Sequence, residues 1–214
     1  TIVIKPSSET PNNAFEFAKI VAESGLPKGV FNLVTGRGSV VGEELASNPK
    51  VGMISFTGSV EAGSRIMQLA AKNITKVSLE LGGKAPAIVM DDANIDDAVK
   101  YIKQSRVINT GQVCNCAERV YVHEKIADEF IEKMVKAMQE TKYGEPLKED
   151  DIEMGPLISK NALESVKGFV ERAIKQGAKL LTGGEDDKFK KGFYYKATVL
   201  ANCTQDMEII QKEI

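Results

Sequence analysis

The sequence is poor in cysteine and histidine, has no excess of basic residues, and lacks both a long apolar run and a signal-peptide pattern. Three cysteines, two of them in Cys114-Asn115-Cys116, do not make a disulfide framework. A bridge across one intervening residue would be strained, so a reducing, cytoplasmic setting is expected. His123 is the single histidine, and nothing supplies four ligands at zinc spacing, so no metal site is expected. Lys plus Arg number 28 against 30 Asp plus Glu, a net charge of −2. Phosphate recognition wants a basic excess or stripe, which argues against nucleic acid as a partner. Apolar runs fall well short of the roughly 20 residues of a membrane-spanning helix, so no membrane partner is expected. There is no initiator Met: the chain opens in Thr1-Ile2-Val3-Ile4 and stops at Gln211-Lys212-Glu213-Ile214. Both ends read as cuts through structure, and an internal fragment is the expectation.

What is present is ordinary for a soluble globular protein: 43% apolar and 27% charged residues over a 214-residue chain, enough for one large or two small domains. Residues 2–4, 31–34, 53–56 and 77–81 read as short strands, separated by helical spacing such as Ala14, Phe17, Ala18, Val21 and Ala22. A second alternating run follows, with strands at 86–90 and 119–122 and near 179–181 and 194–200. Its helices carry Ile95, Ala98, Val99 and Ile102, then Ile131, Met134 and Met138, then Leu163, Val166, Val170 and Ile174. Strands joined by helices of this length predict an α/β fold of two open parallel-sheet units. Gly82-Gly83 marks the boundary between them, giving domains 1–82 and 83–214.

Gly36-Arg37-Gly38-Ser39-Val40-Val41-Gly42 joins a strand to a helix. Glycines there let a nucleotide approach the backbone, though a tight connection would look the same. Phe56-Thr57-Gly58-Ser59 repeats the arrangement. Ser59 reads as an N-cap, and its hydroxyl could also contact a pyrophosphate. Two neighbouring helix N-termini with glycine entries favour a nucleotide crevice. Cys114 follows Gly111-Gln112-Val113 in a turn expected to open a short helix, whose positive end would favour a thiolate; the alternative is a buried small hydrophobe. Cys116 and Cys203 read as structural. Glu80 stands at the end of an apolar strand, where open α/β sheets keep their chemistry; simple pairing is the alternative, although neighbouring Lys84 reads as equally suited to solvent.

Four motifs then carry a resemblance. Lys5-Pro6-Ser7-Ser8-Glu9-Thr10-Pro11, Phe56-Thr57-Gly58-Ser59, Leu79-Glu80-Leu81-Gly82-Gly83-Lys84 and Gly111-Gln112-Val113-Cys114 resemble, in order and spacing, the signatures of the aldehyde dehydrogenase superfamily. Asn115-Cys116-Ala117-Glu118-Arg119-Val120-Tyr121-Val122 is similar in particular to bacterial lactaldehyde (glycolaldehyde) dehydrogenases. The resemblance implies Rossmann-like units, the second part of a cofactor domain followed by an incomplete catalytic domain. It implies NAD- or NADP-dependent oxidation of a small aldehyde, with lactaldehyde or glycolaldehyde as the candidates, and a parent that assembles as a homo-oligomer, dimer or tetramer. By position, Cys114 matches the nucleophile and Glu80 the general base. Lys5, within Lys5-Pro6-Ser7-Ser8, matches the adenosine-ribose lysine, and Ser59 the pyrophosphate contact. Gly38, Gly42 and Glu43 fall on the adenine side. The Leu81 carbonyl matches a nicotinamide-amide contact, and Glu213 the nicotinamide-ribose glutamate.

Two departures qualify this. Ser8 stands where NAD-preferring relatives often carry an acid that repels a 2′-phosphate, so NADP use becomes open. The family's oxyanion-hole asparagine, the opening of the cofactor domain and the oligomerising hairpin lie outside these residues, and the 214-residue chain alone is expected to be inactive. The competing readings are a CoA-acylating relative, against which Glu80 weighs, and a silent nucleotide-binding relative, against which Cys114 and Glu80 together weigh.

Overall fold

Short β-branched runs alternate with helical spacing, and in the computed structural model, which describes residues 1–186 and 191–214, they become eight strands and seven helices. The chain divides into two compact units, Thr1–Leu81 and Gly82–Ile214.

The first unit runs β1 (Ile2–Ile4), α1 (Asn12–Glu23), β2 (Phe31–Leu33), a π-type turn at Gly38–Gly42 continuing into α2 (Glu43–Ser47), β3 (Met53–Gly58), α3 (Val60–Ala71) and β4 (Lys76–Leu81). β1 pairs with β2 in parallel, Ile2 opposite Phe31. β3 pairs with β4 in parallel, from Met53 opposite Lys76 to Gly58 opposite Leu81. Each crossover helix packs onto its pair by small or aromatic contacts. Phe17 of α1 meets Phe31 of β2 edge to face, with ring centres 5.6 Å apart. At Gly63 of α3 a Cβ would collide with the Leu81 side chain, so glycine is what lets that helix approach β4. Ser59 caps α3, accepting from Ala62 N at 3.2 Å, a contact typically worth ~1 kcal/mol.

The second unit runs β5 (Pro86–Val89), α4 (Ile95–Val107), a 3₁₀ turn at Ile108–Gly111, β6 (Arg119–Val122), a 3₁₀ turn at Glu124–Ile126, α5 (Ala127–Gln139), α6 (Lys160–Lys175), β7 (Lys179–Thr182), β8 (Val199–Ala201) and α7 (Glu208–Gln211). β5 and β6 are parallel, Pro86 opposite Arg119. Asn94 caps α4 by accepting from Asp96 N and Asp97 N. Val89, Val99, Val107, Phe130, Met134, Met138 and Met154 form its main core. The helical stripe of α5 supplies three of these, and burying each such side chain is worth about 1.5–3 kcal/mol.

Three local expectations differ from what is found. The last pair, β7 and β8, is antiparallel and forms a two-stranded sheet of its own. The strand expected over 194–200 is ordered as β8 only from Val199; Tyr195 makes an isolated bridge to Asp186. No helix opens at Cys114. Residues 112–118 form turns, and Cys116 N donates to Val113 O at 3.1 Å. Among the described residues, no helix is long and apolar enough to cross a membrane.

Candidate active site

In the first unit, parallel pairing brings the C-terminal ends of β1 and β2 to one edge, so the turns that follow them meet. Pro6, Ser7 and Ser8 from one turn and Thr35, Gly36 and Arg37 from the other line a concavity of about 350 Å³, floored by Pro11 and Phe15. Ser8 Oγ donates to Gly36 O at 3.2 Å, and Lys5 Nζ to Pro6 O at 2.7 Å. A Cβ on Gly42 would lie 3.9 Å from Lys5 Cε. Lys5, Pro6, Ser7, Ser8 and Gly42 are thus drawn together, and Gly38, which opens the π-type turn, has open space beside it. Glu43 is already engaged: its carboxylate takes Arg65 Nε at 3.1 Å and Nη2 at 2.9 Å. The hydrogen bond from Arg65 holds the Glu43 carboxyl below its usual range, and the same bond raises Arg65. Ser59 is exposed at the N-terminus of α3. Hydroxyls, an arginine and the free N–H groups of a helix end suit the ribose and phosphates of a nucleotide, and apolar Pro11 and Phe15 suit its base.

Glu80 stands opposite Thr57 at the end of β4, exposed. Among the described residues its carboxylate has no hydrogen-bond or ion-pair partner, so neither burial nor pairing accounts for it. Leu81 is half-buried against Gly63.

In the second unit, Cys114 lies exposed at the crest of its turn, while Cys116 is buried at 1% exposure. The Cys116 thiol donates to Gly111 O at 3.1 Å and receives Arg106 Nη1 at 3.0 Å. No helix stands at Cys114 to supply a dipole, so a helix end does not favour a Cys114 thiolate as expected. Lys84, expected to suit solvent, is buried. Its side chain is 6% exposed and Glu118's 3%, with Nζ 2.5 Å from Glu118 Oε2. Burial lowers the Lys84 ammonium below its ordinary value; Glu118 opposes that, and Arg106 and Arg119 add to it. The Cys203 thiol is half-buried and raised by burial, Lys84 acting in the opposite direction. The Glu213 carboxylate occupies the space a Cβ on Gly82 would need.

The expectations missed Arg37, Arg65, Arg106 and Glu118. Their signal was present only as ordinary charges; Arg65, Arg106 and Glu118 take their roles from spatial partners, Glu43, Cys116 and Lys84, and Arg37 from its place in the wall of the concavity. Among the described residues, no group of three His, Cys, Asp or Glu side chains is placed to hold a metal ion.

The family model described as the aldehyde dehydrogenase family matches residues 1–214. The chain belongs to that family. It is 61% identical over 213 residues to the lactaldehyde dehydrogenase of Escherichia coli (strain K12), covering 100% of this chain and 44% of that protein. The crystal structure of lactaldehyde dehydrogenase from Escherichia coli superposes with a TM-score of 0.95 over 98% of this chain and 44% of that one. The D-glyceraldehyde dehydrogenase (NADP(+)) of Picrophilus torridus is 44% identical over 218 residues, again 100% of this chain and 44% of the other. Betaine aldehyde dehydrogenase from Staphylococcus aureus, solved in complex with NAD+, matches with a TM-score of 0.97 at 36% identity, over 100% of this chain and 43% of that one. The chain thus spans less than half the length of these relatives. Its short parallel sheets match the Rossmann-like fold of the aldehyde dehydrogenases.

Proposed function

We propose that the protein carrying this chain oxidises a small aldehyde, lactaldehyde or glycolaldehyde being the first candidates, to its carboxylic acid with NAD or NADP. The observation that carries this is Cys114: an exposed thiol with no hydrogen-bond partner among the described residues, at the crest of a turn whose other cysteine is buried and hydrogen-bonded, in a chain matched end to end by one family of aldehyde oxidisers.

The cofactor, when bound, accepts the hydride. Residues 1–82 hold its adenosine half: Lys5 and Ser8 at the ribose, flanked by Pro6 and Ser7; Gly38, Gly42 and Glu43 on the adenine side; Ser59 at the pyrophosphate. The Leu81 carbonyl meets the nicotinamide amide, and Glu213 its ribose. Residues 83–214 carry the nucleophile.

The Cys114 thiolate adds to the carbonyl carbon, forming a C–S bond and a tetrahedral oxyanion. Loss of hydride from that carbon leaves a thioester on Cys114. Glu80 takes a proton from water, the resulting hydroxide adds to the acyl carbon, and the C–S bond breaks to return the thiolate and release the acid. What supports this is an exposed carboxylate with no hydrogen-bond or ion-pair partner among the described residues. Three free thiols support a reducing compartment, the cytoplasm.

In the full-length protein, Cys114→Ser should abolish aldehyde oxidation, while Cys116→Ser, which keeps a hydroxyl to bond Gly111 O, should retain most of it. Mass spectrometry of enzyme quenched during turnover should find the acyl group on the peptide that contains Cys114. Activity surviving Cys114→Ser refutes the assignment.

A further inference from the structure

The segment leading to Cys114 is unusually constrained. Asn109, Thr110 and Gly111 have successive φ values of 48°, 60° and 75°, a left-handed run that is costly for a β-branched residue such as Thr110. Several bonds hold it. Thr110 Oγ1 donates to Gly155 O at 3.0 Å, Gln112 Nε2 donates to Asn109 O at 2.9 Å, and Gln112 Oε1 accepts Ile158 N at 2.9 Å. The far end is tied where Ala117 N donates to Ser105 Oγ at 3.0 Å.

One side chain touches both ends. Arg106, in the last turn of α4, places Nη1 3.0 Å from Cys116 Sγ and 3.5 Å from Glu118 Oε1. Its guanidinium also sits close to Gly111: a Cβ there would stand 3.1 Å from Cζ and 3.2 Å from Nη2. The carboxylate that anchors Arg106 is itself immobilised. Glu118 Oε2 takes Lys84 Nζ at 2.5 Å and Ile214 N at 3.2 Å, and the Lys84 carbonyl takes Arg119 Nε at 2.8 Å. Burying such an ion pair is a poor route to stability, since well-packed apolar residues usually do as well or better. Fixing the direction of a planar donor fork is something apolar residues cannot do.

We propose that Arg106 is the positioning residue of the Cys114 turn: anchored by the buried Glu118–Lys84 pair, its guanidinium clamps Gly111 and Cys116 and so sets where the Cys114 sulfur stands. This rests on the reading of Cys114 as nucleophile. Without the clamp, only the Cys116 thiol bond to Gly111 O ties the two ends, the left-handed run relaxes, and the sulfur at the crest moves most. A displacement of about 1 Å at a reacting atom can cost on the order of 10²-fold in rate.

Arg106→Met in the full-length protein is the test, because it leaves Lys84 and Glu118 paired one to one. Two quantities are read: steady-state kinetics with aldehyde and cofactor, and the rate at which iodoacetamide alkylates Cys114, followed by peptide mass. The expected result is a fall in kcat of about 10–100-fold with KM for the cofactor unchanged, together with a several-fold change in Cys114 alkylation while Cys116 stays protected. Arg106→Lys, which keeps the charge but loses the fork, should fall between. Should the Met variant fail to fold, the Lys variant is read alone by the same two quantities. Wild-type kcat and alkylation overturn the proposal, and so does a fall in kcat with unaltered alkylation, which would place the action of Arg106 elsewhere. Alkylation reports on the turn whether or not Cys114 is the nucleophile, so activity persisting in Cys114→Ser sinks that reading separately.

Discussion

Replacing Glu118 by Gln removes the negative member of a pair whose side chains are 6% and 3% exposed. Lys84 would then be a buried cation with Arg106 and Arg119 close by, both already disfavouring its charge. Breaking a buried pair by removing one partner costs about 3–5 kcal/mol, because the remaining charge has lost its water and gained nothing. At 2–4 °C per kcal/mol for a chain of this size, the melting temperature should fall by roughly 6–20 °C. The pH dependence identifies the cause. Burial already holds the Lys84 pKa below its ordinary value of 10.5, so in that window the unfolded chain binds the extra proton and stability rises with pH. Glu118→Gln removes the carboxylate that opposes this shift, which lowers the folded pKa further and widens the window. The variant's deficit should therefore be largest near neutrality and shrink as pH climbs toward the ordinary lysine value. Circular dichroism melts of wild type and variant across that range measure it. A loss under about 1 kcal/mol, the size of an exposed pair, or a deficit that does not change with pH, refutes the account.

Ser8→Glu should cut NADP use far more than NAD use, since two like charges about 4 Å apart at an effective dielectric near 20 repel by ~4 kcal/mol before screening; an unchanged NAD-to-NADP ratio of kcat/KM would place Ser8 away from the ribose. Tyr195→Phe should leave stability unchanged or raise it by up to about 3 kcal/mol, because the buried Tyr195 hydroxyl has no hydrogen-bond partner among the described residues. Burial pushes that phenol up to about 12 from 10.0. Its raised pKa means that wild type loses stability as pH climbs through that interval, a loss the Phe variant should lack in equilibrium denaturation. A variant that melts lower at pH 7 would show that the hydroxyl is bonded.

Much of the scaffold was legible along the chain because its causes are local. Ser59 announces a helix start because its side chain bonds the Ala62 N–H three residues ahead. The alternation in Lys76–Leu81 marks a strand with one face covered, as its burial pattern has it. The parallel pairing of β1–β2, β3–β4 and β5–β6 follows from a helix lying between the members of each pair. The concavity at Ser8 and Gly36 follows in turn from parallel pairing, since it puts successive strand ends at one edge.

The turn at Cys114 was not legible, and neither was the burial of Lys84. Residues 111–116 suggested a helix start by their own spacing, yet Thr110 is held by Gly155, 45 positions away, and Gln112 by Ile158, 46 away. Lys84 and Glu118, 34 positions apart, each look like ordinary surface charges; a charge is tolerated away from water only when another chain segment delivers its counter-ion. Helix caps, strand alternation and the order of the motifs depend on near neighbours and can be read directly from the residues. The shape of the Cys114 loop depends on bonds between distant segments, whose energies exist only once the chain has folded.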